Sequence, residues 1–142
     1  MIQPDEPGWA ISRANSPGET EMFEDRRQII EYNNKPVIVH NYSGLEGTEF
    51  VKVIQHVAVL VQNDQRTDKL ILIDISDTIV DQAVMAAFRN MTEGQSKTVK
   101  RSAIVGLTGI QTLFVQVITR FTQIDIKPFD SREEALEWLT AQ

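Results

Sequence analysis

The run Leu70-Ile71-Leu72-Ile73-Asp74-Ile75-Ser76-Asp77-Thr78 constrains the fold more than any other part of the chain. Its aliphatic residues follow one another without the polar alternation of a half-solvated strand, which is the pattern of a strand covered on both faces in a parallel α/β sheet. The run then breaks into acids and hydroxyls and passes directly into a segment with helical spacing. Partners and ligands of such sheets meet the protein at the carboxyl ends of the strands. A site is therefore expected around residues 74 to 82.

The flanking segments extend the pattern. Gln28 to Tyr32 and Pro36 to His40 surround Asn33-Asn34, a pair that tolerates the positive φ of a tight hairpin, so two antiparallel strands are expected there. Phe50, Val53, Ile54, Val57 and Val61 recur at helical spacing. After the 70–75 strand, a second helix is expected from about Thr78, with Asp77 as its N-cap and Val80, Ala83, Val84, Ala87, Phe88 and Met91 facing inward. Ser102 to Leu107 reads as a strand, Ile110 to Phe121 as a helix and Ile124 to Phe129 as the last strand. Ser131 with Glu134 forms a capping box ahead of Ala135, Leu136, Trp138 and Leu139. The resulting order, ββαβαβαβα, is an α/β fold with a mixed sheet: an N-terminal hairpin followed by three strand-helix crossovers. Residues 1–26, rich in Pro, Gly and acids without a sustained period, read as an extended or partly disordered leader, and 27–142 as a single domain.

With 142 residues, the chain is long enough to bury a core without staples. It has no Cys, which excludes disulfides, Cys-based zinc sites and thiol catalysis. Its formal net charge of −6 opposes general attraction to nucleic acid or anionic lipid. Lys97 to Arg101 is the basic cluster and reads as a solvated loop. No apolar run has the length of a membrane span, and the amino end lacks a signal-peptide pattern, so a cytoplasmic location is expected.

The element order, the Leu70 to Thr78 run, Arg101-Ser102-Ala103-Ile104-Val105-Gly106 and Phe129-Asp130-Ser131-Arg132-Glu133-Glu134-Ala135-Leu136-Glu137-Trp138-Leu139 together resemble the STAS superfamily over residues 27 to 141. The likeness is to the branch that groups anti-sigma-factor-antagonist-like (SpoIIAA-like) domains with CRAL-TRIO-like lipid-binding ones. In the phospho-regulated antagonists, an Asp precedes a Ser-Ser-Gly-Leu stretch at the start of the second helix. The matching segment here is Asp81-Gln82-Ala83-Val84-Met85. The resemblance thus implies a regulatory module that keeps the Asp and lacks the phosphorylatable serine.

Other chemistries meet specific objections. Asp74, Asp77 and Asp81 gathered at one rim would suit Mg²⁺ or Ca²⁺, but Asp77 beside Thr78 is better explained as a helix N-cap, and no metal is expected. An aspartyl phosphotransferase needs Asp-x-Asp, whereas Asp74 and Asp77 are three apart. Asp74, Thr108 and Lys127-Pro128-Phe129 resemble the phosphoacceptor set of receiver domains, yet His40-Asn41 offers no carboxylate where a receiver holds Mg²⁺. A degenerate receiver-like domain is the weakest alternative. Gly106-Leu107-Thr108-Gly109 lacks the Lys and the length of a phosphate-binding loop. His56 reads as solvated and His40 as a structural histidine with its nitrogens satisfied.

The expected function is therefore noncatalytic. It is a regulatory or protein-interaction module acting through Asp74, Ser76, Asp77, Thr78, Asp81 and Gln82, on an unknown protein partner or in a homodimer, with no cofactor and no nucleic-acid partner. The alternative from another class is a carrier or sensor of a small apolar, lipid-like ligand lined by Ile110, Phe114, Ile118 and Phe121, where ordinary core packing explains the same spacing.

Overall fold

Asn33 and Asn34 turn the chain with φ of 50° and 63°, the left-handed pair a two-residue hairpin demands. They join β1 (Arg27–Tyr32) to β2 (Lys35–Asn41), paired antiparallel from Tyr32↔Lys35 to Arg27↔His40. The protein is described by a computed structural model covering residues 26–109, 111–122 and 124–141. Pro36, which has no N–H to donate, precedes the point where β2 begins to pair with the next strand at Ile38↔Ile71.

The remaining elements are α1 (Gly47–Asn63), β3 (Lys69–Asp74), α2 (Gln82–Thr92), β4 (Val99–Val105), α3 (Gln111–Thr122), β5 (Ile126–Phe129) and α4 (Arg132–Thr140). The sheet order is β1-β2-β3-β4-β5, with β2 to β5 parallel. Right-handed crossovers taken in one unbroken direction deposit their helices on a single face. Accordingly Phe50, Val53, Ile54 and Val57 of α1, Val84 and Phe88 of α2 and Val115 of α3 share one core with Ile38, Ile71, Ile73 and Ile104 of the sheet. The other face is left to α4, whose Ala135 and Leu139 close over Val37, Val39, Leu70, Leu72, Ala103 and Val105. Covered on both sides, every residue of β3 is buried, as its uninterrupted aliphatic run requires.

Two boundaries differ from the sequence reading. Val99, Lys100 and Arg101 belong to β4 rather than to a solvated loop. Arg101 Nη1 donates to the carbonyls of Trp138 (2.7 Å) and Ala141 (3.0 Å) with its guanidinium 5.2 Å from the Trp138 ring, so this cation is spent at the negative end of α4. The second helix starts at Gln82 instead of Thr78, and Ala83, expected to face inward, is exposed. Residues 1–25 of the expected leader, 1–26, lie outside the described residues. So do Ile110 and the side chains of Phe114, Ile118 and Phe121, the expected lining of an apolar ligand site.

Candidate functional site

The carboxyl ends of β2, β3 and β4 form one rim, stitched by backbone bonds between their loops. Tyr42 N–H donates to Asp74 O (2.8 Å), Gly44 N–H to Ser76 O (2.9 Å), Ile75 N–H to Val105 O (3.0 Å) and Ile79 N–H to Leu45 O (3.3 Å). Gly106 holds a φ of +88°, and a Cβ there would sit 2.5 Å from Ser76 Oγ. Only glycine lets the β4–α3 connection come this close to the β3–α2 loop.

Asp74 does not present its carboxylate to a partner, and the expectation that it does is corrected. It is 7% exposed. One carboxylate oxygen accepts the Ser76 N–H at 2.9 Å, an Asx turn that starts the loop. The other takes both Nε (3.0 Å) and Nη2 (2.8 Å) of Arg132, at the start of α4. Burial works against its ionisation, but the Ser76 hydroxyl and amide and the Arg132 guanidinium outweigh burial and hold the carboxyl below its ordinary value. Asp74 therefore clamps the first turn of α4 to the end of β3 and aims the loop that follows.

Along that loop Asp77, Ile79 and Asp81 are exposed, while Ser76, Thr78 and Val80 are half-buried. Thr78 Oγ donates to Ile75 O at 2.7 Å, closing the turn. Asp77, expected to cap the helix, instead sits exposed at φ 57°, a conformation Asp tolerates better than most residues. The cap falls to Asp81, whose carboxylate accepts Val84 N–H at 2.8 Å, and Gln82 opens α2 on the surface. Asp74 is thus a clamp and Asp81 a helix cap, while Asp77 stands exposed in the turn between them. Among the described residues no three His, Asp or Glu side chains gather as a metal site.

Sequence reasoning missed three residues here. Arg132 lies 58 positions from Asp74 with no local signal linking them. Gly106 leaves only the weak trace of a glycine after a strand. Ile79 is 61% exposed between Asp77 and Asp81, and its signal was available, since it has no place in the apolar spacing of α2.

His40 is 2% exposed on the α1–α2 face of β2, and neither ring nitrogen meets a hydrogen-bonding group among the described residues. This corrects the expectation of a satisfied histidine. Burial, with lesser contributions from the charges of Arg27 and Lys69, pushes its pKa down to about 3, so the imidazole is neutral at pH 7.

A family model described as SpoIIAA-like matches residues 38–140, and the chain belongs to that family. It is similar in fold to the crystal structure of an uncharacterized protein of the DUF3478 family with a SpoIIAA-like fold from Shewanella loihica PV-4, at 19% identity and TM-score 0.60, covering 80% of this chain and 91% of that one. It is also similar to an anti-sigma-factor antagonist (STAS) domain protein from Planctomyces limnophilus, at 15% identity and TM-score 0.50, covering 81% and 98%. A search of curated proteins gives no match. These findings carry the STAS and SpoIIAA-like part of the resemblance and give no support to its CRAL-TRIO-like part. Among the described residues no helix is long and apolar enough to cross a membrane.

Proposed function

We propose that this chain is a noncatalytic regulatory module that binds a protein partner through the rim from Ser76 to Gln82. The observation that carries the reading is Ile79, a large aliphatic side chain 61% exposed on a loop that is otherwise fixed by backbone bonds and by the Asp74–Arg132 clamp. A rigid loop offering an apolar anchor inside a polar border has the composition of an interface centre, where a few buried anchors carry most of the binding energy. Asp77, Asp81 and Gln82 supply that border.

Chemistry at the rim is opposed by its proton balance. The Ser76 hydroxyl bonds the Asp74 carboxylate, which Ser76 itself and Arg132 make a weaker base than usual, so this pair is not poised to take a proton from a nucleophile. The anti-sigma-factor antagonist among its structural neighbours fits the same reading. By the resemblance read from the sequence, Gln82 and Ala83 at the exposed start of α2 stand where a phosphorylatable serine would be, and the reading is of a partner held without a phosphoserine switch. The carrier alternative has no comparable support. Among the described residues, the cavity beneath α1 and α2 has a volume of about 30 Å³, far below the ~300–1,000 Å³ of pockets that enclose drug-sized ligands.

The test is quantitative capture of proteins from an extract of the native host on immobilised wild type, Ile79→Asp and Val59→Asp. Val59 is similarly exposed, but on α1 away from the rim. A partner retained by wild type and Val59→Asp and lost with Ile79→Asp supports the rim. Retention by all three, or turnover of an ester or phosphoester abolished by Asp74→Ala, refutes it.

A further inference from the structure

The cavity beneath α1 and α2 is separate from the rim. It opens at the opposite end of the sheet, where Thr92, Gln95 and Val99 are only partly buried, and it runs inward to His40 between Val61, Ile71, Ile73 and Ile126. The polar groups at the mouth are already engaged. Thr92 Oγ1 donates to Phe88 O at 2.8 Å, and Gln95 Oε1 accepts from Thr98 Oγ1 at 3.3 Å. His40 differs from them, since both of its nitrogens are buried and without a hydrogen-bond partner among the described residues. Leaving one buried donor or acceptor unsatisfied costs roughly 1–3 kcal/mol. A leucine or phenylalanine would fill the same space without that cost.

We propose that this cavity is a binding site for a small uncharged molecule of the alcohol or primary amide class, with its hydroxyl or amide on the His40 imidazole and its alkyl part against Ile71 and Ile73. The volume of about 30 Å³ is two to three times the ~10–15 Å³ that one water-sized probe occupies, which limits the guest to a few heavy atoms. A neutral guest is required by the surroundings. The imidazole is uncharged at pH 7, and beyond it the inner wall is aliphatic except for Ser102, with no charged side chain in the lining among the described residues, so a carboxylate or ammonium entering it would lose its hydration without gaining a counter-charge. Arg27 Nη2 bonds Asp64 at 2.8 Å while its buried Nε has no partner among the described residues, and Lys69 Nζ bonds Asp64 O at 3.1 Å; neither cation lines the cavity. A neutral imidazole offers one donor and one acceptor, and a hydroxyl or primary amide answers either.

The experiment is an NMR titration of ¹⁵N-histidine-labelled protein with ethanol, acetamide and, as a purely apolar guest, xenon. The His40 ring nitrogens are expected to shift saturably with ethanol or acetamide and to stay in place with xenon. In His40→Phe, ethanol affinity read from backbone amides around Ile71 is expected to fall at least tenfold. A linear, non-saturating response of the ring nitrogens, or undiminished ethanol affinity in His40→Phe, overturns the proposal. Should His40→Phe fail to fold, crystals of wild type soaked in 2-bromoethanol decide the matter. A bromine anomalous peak within contact of Ile71 or Ile73 and a hydroxyl on His40 supports the site. Unchanged density at the imidazole refutes it.

Discussion

The Asp74–Arg132 clamp makes a prediction in which the two partners are unequal. Asp74→Ala removes the ion pair, deletes the Asx turn and leaves the Ser76 N–H without its 2.9 Å acceptor. Arg132→Ala removes only the ion pair, and the Ser76 bonds continue to hold the carboxylate. The side chain of Arg132 is 46% exposed, so solvent screens the pair and its contribution is about 1 kcal/mol. Losing the acceptor of a part-buried amide adds about 1–2 kcal/mol. Asp74→Ala is therefore expected to cost about 2–3 kcal/mol, Arg132→Ala about 1 kcal/mol, and the double variant about the same as Asp74→Ala, giving a coupling of about 1 kcal/mol. Urea unfolding followed by far-UV circular dichroism, with the slope checked for constancy, measures all four corners of the cycle. Lys52→Ala, exposed on α1, serves as the surface control and should stay within about 0.5 kcal/mol of wild type. Equal costs for Asp74→Ala and Arg132→Ala, or a coupling near zero, would refute the claim that Asp74 organises the loop as well as docking α4.

Gly106→Ala forces a Cβ onto Ser76 at a φ of +88°, and a loss of about 2 kcal/mol or more is expected in the same urea assay. Acid should weaken the fold through His40. With a pKa near 3 in the fold and about 6.5 unfolded, the unfolded chain takes up the proton first, so stability is complete above about pH 6.5 and declines toward pH 3 by about 1.4 kcal/mol per unit. Urea midpoints at pH 7 and pH 4.5 should show this decline, and His40→Phe should flatten it. His56, also lowered by burial, is controlled with His56→Gln. Asp74, held below its ordinary value, adds its own loss only below about pH 4, as the folded carboxylate is protonated. Ser131→Ala removes the acceptor for Glu134 N–H at 3.1 Å and should cost about 1 kcal/mol, detectable as a lower urea midpoint.

Much of the architecture was legible because its causes are local. The aliphatic run of β3, the Asn33-Asn34 turn and the Ser131–Glu134 box each act within a few residues, and all three stand as read. The start of α2 was misplaced because two acids, Asp77 and Asp81, both offer a cap. The choice between them was made by a turn, Asp77 at φ 57° with Thr78 bonded to Ile75 O, that periodicity does not register. Lys97 to Arg101 read as a loop because charge masks a strand end whose arginine is anchored on α4. The site residues divide along the same line. Asp77, Asp81 and Gln82 are exposed past the carboxyl end of β3, the end to which the rule for parallel strands points. The inward role of Asp74 depends on an arginine brought by α4, and the orphaned imidazole of His40 depends on three strands and two helices closing around it. Contacts of that range leave no trace in spacing.

The rim as the contact surface is tested most directly by photo-crosslinking in the native host, with a benzophenone amino acid placed in turn at Ile79, Gln82, Val59 and Ile29. A rim interface yields the same discrete protein adduct from positions 79 and 82 and none from positions 59 and 29. Adducts confined to Val59 or Ile29, or none at any of the four positions, would contradict it.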